Sequence, residues 1–133
     1  MGMVLEVTRD VIAVLLARAA RAAPRECCGL LLGVDERIDT ARAAANVAGD
    51  PRHRFEIDPA TLLAAHREAR AGGPALLGYY HSHPDGHPVP SAVDCEHASG
   101  DRRVWAIVAG GEVAFWRDGD SGFEALSYHL VDG

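Results

Sequence analysis

Residues 81 to 94 read HSHPDGHPVPSAVD, placing three histidines, two serines and two aspartates within fourteen positions. Side chains on a strand alternate between faces, so His81 and His83 project together while Ser82 points back. Their Cα atoms then lie about 6.5 Å apart, within reach of one ion at roughly 2 Å per Zn–N bond. Pro84 lacks a backbone donor and ends the strand. The Pro/Gly-rich stretch 84–90 returns the chain to a short helix from Ser91 to about Ser99. Ser91 and Asp94, three apart, share a helix face, which lets Asp94 supply a third, anionic ligand. Two imidazoles and a carboxylate suit a catalytic zinc with its fourth position open to water, whereas a structural zinc more often takes four ligands rich in cysteine. The alternative is a polar loop with two solvated histidines.

An open site also needs a carboxylate base that is not itself a ligand. Asp85 is the spare acid within the stretch, but its loop gives it no rigid placement. Glu26, at the mouth of the apolar run CCGLLLG, is the better candidate, although a glutamate there can equally be a solvated strand end.

These side chains need a scaffold. Met3 to Val7 reads as a strand, and TRDVIAVLLARAARAAP as a helix with Val11, Leu15, Ala19 and Ala22 on one face, capped by Thr8 and closed by Pro24. CCGLLLG reads as a buried strand, RIDTARAAANV as a second and HRFEID as extended chain. A crossover helix runs from about Pro59 to Ala71 and ends at Gly72-Gly73. ALLGYYHSH is an apolar strand that turns polar where the histidines begin. RVWAIVAGGEVAFWRD forms a hairpin across Gly110-Gly111, and FEALSYHLV is a single closing strand whose apolar edge could pair between subunits. The expected fold class is α/β (α+β mixed): one domain over 1–133, with a central mixed sheet and at least three helices.

The bulk numbers agree: 133 residues, 48% hydrophobic and 24% charged, suit one soluble domain with its own core. The net charge of −6 opposes nucleic-acid binding. Arg52-His53-Arg54 and Arg102-Arg103, without interleaved aromatics, read as solvated surface. No apolar stretch approaches the roughly 20 residues that span a bilayer, and MGMVLEVTRD has no secretory n-region; both point to the cytoplasm. Cys27, Cys28 and Cys95 form no CxxC and read as reduced thiols, the first two in the core.

The arrangement Glu26 … His81-Ser82-His83-Pro84 … Ser91-Ala92-Val93-Asp94 resembles the JAMM, or MPN-domain, zinc metallopeptidases. Their pattern is an upstream Glu, then H-x-H, seven residues, Ser, two residues, Asp. PRECCGLLLG, FEIDP, GYYHSHP and VPSAVD are similar to phrases of the short bacterial members. The resemblance implies a deaminase-like sheet flanked by helices and one zinc per chain held by His81, His83 and Asp94. It further implies Glu26 as the proton-transferring base and Ser91 as donor to the oxyanion. The implied substrate is the C-terminal Gly-Gly tail of a ubiquitin-like, sulfur-carrier type of protein, with no nucleic acid or membrane as partner. His97, three past Asp94 on the same helix face, is expected to be exposed or to support the site, with a role as alternative ligand left open, and His87 to face solvent or a substrate tail. A scaffold subunit without catalysis is the alternative. A zinc deaminase would need H-x-E followed by P-C-x-x-C, and neither occurs.

Overall fold

The computed structural model describes residues 4–133. The first strand, β1 (Leu5–Thr8), falls where expected, with Met3 outside the described residues. Thr8 ends β1 and caps helix α1 (Arg9–Ala22), its side chain accepting the Val11 N–H at 3.3 Å. Val11 and Leu15 are buried and Ala19 packs beside them, as the three-and-four spacing predicts. There follow β2 (Cys28–Val34), β3 (Arg37–Ala44), helix α2 (Pro59–Arg70), β4 (Ala75–Ser82), the short helix α3 (Ala92–His97), β5 (Val104–Ala109) and β6 (Glu112–Gly119). HRFEID forms no strand; one bridge, Asn46 to Ile57, pins the loop that contains it. No helix among the described residues is long and apolar enough to cross a membrane.

FEALSYHLV corrects the expectation of one closing strand. It divides into β7 (Gly122–Leu126) and β8 (Tyr128–Val131). The mixed sheet has the order β7-β6-β5-β4-β2-β3-β1-β8, so these two neighbours in sequence occupy opposite edges. Ser127 alone separates them, and the sheet must curl to bring its margins together. The Phe115 ring of β6 accordingly lies 4.6 Å from the Tyr128 ring of β8. β7 pairs antiparallel with β6, whereas β8 pairs parallel with β1. Apolar patterning records burial but not the residue at which a strand changes partner.

β2 lies between β3 and β4, antiparallel to both, so α2 carries the chain between two parallel strands as a crossover. β2 is covered on both faces, which explains its unbroken apolar run. Leu31 joins Tyr80, Val7, Val11 and Leu15 on the α1 side. Leu30 and Leu32 join Leu76 and Ala65 on the α2 side. Gly78 permits the tight pairing of β4 with β5: a Cβ there would stand 1.8 Å from the Val104 carbonyl oxygen. Gly78→Ala should therefore force apart the strand that carries the histidines. A loss of about 2–3 kcal/mol in urea unfolding is expected, and an unchanged midpoint would show that the pairing yields freely.

Candidate metal and catalytic site

β4 delivers His81 fully buried at its C-terminal end, with His83 two residues on. Their Nε2 atoms are 3.0 Å apart. Asp94, from α3, closes the triangle: its carboxylate lies 3.1 Å from the Nε2 of each histidine. The local sequence explains Asp94's place. Ser91, which opens the short helix, is its N-cap, and α3 proper begins at Ala92. The Ser91 hydroxyl accepts the Asp94 N–H at 3.1 Å, and the Asp94 carboxylate accepts the Ser91 N–H at 2.9 Å. This reciprocal capping box fixes the carboxylate before any ion is considered. The Ser91 hydroxyl keeps its own proton to donate.

Glu26 reaches the same place from the segment before β2, and is only 7% exposed. One carboxylate oxygen and one nitrogen of each histidine lie within 4.8 Å of one another. The structure thus brings together all five residues singled out by type and spacing: Glu26, His81, His83, Ser91 and Asp94. Asp85, His87 and His97 are exposed and stand apart as side chains. His97 lines a neighbouring cleft with Phe55, Tyr79 and Trp105. Cys28 is in the core, Cys27 half-buried and Cys95 exposed.

The electrostatics follow from burial. Burial pushes the Glu26 carboxyl up to about 7, against the opposing pull of His83. Burial likewise pushes the His81 imidazole down, against its contacts with Asp94. For Asp94, burial favours the acid form, but hydrogen bonds with both histidines hold the carboxyl well below its ordinary range. His83 ends above its ordinary value because Asp94 and the His87 carbonyl outweigh burial. His83 Nδ1 donates to that carbonyl at 2.9 Å, directing its Nε2 inward. A lone pair there would face the carboxylate of Asp94 and the second imidazole, so a cation between them satisfies all three. The donor set fits a divalent metal with mixed nitrogen and oxygen ligands.

Four supporting residues went without a role in the sequence reading. Ser82 points back from β4, as alternation requires, and locks Glu26's segment in place: the Cys27 N–H donates to its hydroxyl at 2.9 Å, while its own N–H donates to the Cys27 carbonyl at 3.1 Å. Phe55 stacks on His81 at 4.2 Å, and Trp105 meets that ring edge-on at 5.6 Å. Asn46 holds the loop. Its amide donates to the carbonyls of Glu26 at 2.9 Å and Arg54 at 3.1 Å. Its oxygen accepts the Ala48 and Glu56 amides, each at 3.1 Å. Only Ser82 had a sequence signal, the alternation itself; Asn46 and Phe55 act through folding of a loop without periodicity.

The model of the prokaryotic homologs of the JAB domain matches residues 8–119. The chain belongs to this family. Within it, the protein is 38% identical over 91 residues to a desampylase of Haloferax volcanii, a match that covers 67% of this chain. It is 36% identical over 97 residues, or 73% of its length, to a Thermus thermophilus protein named "Probable TtuB-protein conjugate cleaving protease". These matches span 66% and 65% of the two relatives' own lengths. A solution structure of a Desulfitobacterium hafniense protein superposes with a TM-score of 0.84 at 28% identity, covering 97% of this chain and 94% of its own. A JAB1/MPN domain protein from Archaeoglobus fulgidus shares the fold at a TM-score of 0.68 and 19% identity, covering 98% and 100% of the two chains.

Asn46→Ala should release the loop of this JAB-domain protein from the Glu26 segment. Two carbonyls and two amides lose partners, which should destabilise by about 1–3 kcal/mol. Hydrogen exchange checks it: the Ala48 and Glu56 amides should lose protection while β5 keeps its own.

Proposed function

We propose that the protein is a zinc-dependent peptidase or isopeptidase, working in the cytoplasm as a single domain. On this reading, His81, His83 and Asp94 hold one zinc per chain. Its substrate is the C-terminal Gly-Gly tail of a ubiquitin-like, sulfur-carrier type of protein. The supporting observation is the convergence of two Nε2 atoms and a carboxylate at 3.0–3.1 Å, with a buried glutamate alongside. The names of the relatives, a desampylase and a conjugate-cleaving protease, favour the same class of bond.

When bound, zinc supplies a Lewis acid that lowers the pKa of water toward 7 and polarises a carbonyl. The remaining work falls to the chain. Glu26 removes a proton from the attacking water and returns it to the departing amine. Its raised pKa suits both halves of that exchange, since a base and acid near neutrality gives and takes a proton at comparable cost. Ser91 donates its free hydroxyl proton to the oxygen that gains charge as water adds to the carbonyl. His81, buried and held between aromatic rings, stays neutral and so available as a ligand.

Two substitutions separate ligand from base. Glu26→Gln should retain the zinc measured by elemental mass spectrometry yet abolish cleavage of a Gly-Gly-linked substrate; persisting cleavage would remove Glu26 from its role. Asp94→Ala should lower zinc occupancy, and full occupancy would assign the third ligand elsewhere. Ser91→Ala should reduce kcat by roughly 10²–10³, with a separate stability loss of about 1 kcal/mol from the missing cap. A wild-type protein that carries no zinc and takes none up would instead be a scaffold.

A further inference from the structure

Folding brings two distant arginine-bearing segments, 21–25 and 52–54, together at Glu26: the first lines its cleft and the backbone of the second is bonded beside it. Arg21 and Arg25, at the end of α1 and just beyond it, line a cleft of about 360 Å³ together with Glu26, Asn46 and Pro51. The Glu26 N–H donates to the Pro51 carbonyl at 2.7 Å, which lays the 46–56 loop against it. Arg52 follows Pro51, and the Arg54 carbonyl shares the Asn46 side chain with the Glu26 carbonyl. All four arginines are exposed, and none forms an ion pair among the described residues. Of the other nine, Arg9, Arg42, Arg102, Arg103 and Arg117 each face a carboxylate, Arg18 and Arg37 donate to backbone carbonyls, and Arg67 and Arg70 lie on α2. Of the two acids of the same loop, Asp50 is engaged by His53 at 3.0 Å and Glu56 lines the separate cleft of Tyr79 and Trp105.

This cationic patch belongs to a chain of net charge −6. An acidic partner is repelled by most of such a surface and attracted where the arginines cluster, so the field both selects a partner and turns it toward Glu26. Single-stranded nucleic acid would want an exposed aromatic among the cations; Phe55, the aromatic of this loop, is stacked on His81. We infer that Arg21, Arg25, Arg52 and Arg54 form a collar beside the catalytic glutamate that docks an acidic face of the protein substrate. The inference rests on the proposed hydrolase reading. It adds what that reading lacks, a means of engaging the folded body of the substrate apart from its tail.

The test uses the zinc-loaded full chain and two substrates with one fluorescent reporter: an acidic ubiquitin-like protein ending in Gly-Gly, and a short uncharged peptide with the same ending. Arg52→Ser/Arg54→Ser is compared with Arg67→Ser/Arg70→Ser, which removes equal charge from α2. The first pair should lower kcat/KM on the protein substrate about tenfold, through KM, and leave the peptide unaffected; the second should change neither. High salt should erase the wild-type preference for the protein substrate, because the collar is solvent-exposed. No loss on the protein substrate, or an equal loss on both substrates, overturns docking. So does tighter wild-type binding to a uridylate 20-mer than to the acidic protein. If wild type cleaves neither substrate, the hydrolase reading fails by itself. Calorimetric binding of the uncleaved acidic protein then decides the collar: weaker binding by the Arg52/Arg54 variant supports it, and equal binding overturns it.

Discussion

A buried carboxylate must find donors or a cation, and Asp94 is where this constraint acts on the molecule. It accepts the Ser91 amide and lies against both imidazoles, while almost no water reaches it. Removing one partner would leave charge uncompensated in a low-dielectric setting. The short helix is therefore more than a connector between β4 and β5. Its first turn orients the carboxylate, and the carboxylate in turn fixes the two imidazoles.

β4 serves both sides of this arrangement because its side chains alternate. His81 turns toward Phe55, Trp105 and Asp94, while Ser82 turns toward the Glu26 segment. One residue step thus links the candidate ligands to the candidate base without a loop between them. The close approach at Gly78 holds the same strand against β5. Functional geometry here depends on backbone pairing as much as on the reactive groups, which is how sites come to be held more tightly than loops alone allow.

Much of this was legible in the sequence where a local rule dominated. Period-four spacing and Thr8 located α1, Pro59 and the paired glycines bounded α2, and H-x-H before Pro84 marked the strand end. Ser91 and Asp94 were legible through helix geometry, with Ser91 as the cap before Ala92. Glu26 was named from its place at the mouth of an apolar strand and again by resemblance to a motif, although nothing local distinguishes it from a solvated strand end. The loop 46–56 was opaque because Asn46 organises it through contacts up to twenty residues away. The division of the last segment was opaque for a related reason: partner exchange at Ser127 is decided by sheet curvature, which leaves no mark on the apolar pattern. Arg52 and Arg54 read as a solvated surface until the fold bonded their segment beside Glu26.

Curling of the sheet bears on how fast the protein folds. β1 precedes every other strand in the described chain, yet one of its edges pairs with β8, across the register Leu5↔Tyr128 to Thr8↔Val131. That edge is covered only by a pairing of very long sequence separation. Pairings of such separation raise contact order, which slows folding. The site residues, all between positions 26 and 94, sit on or beside β2 and β4 in the middle of the sheet, away from that margin.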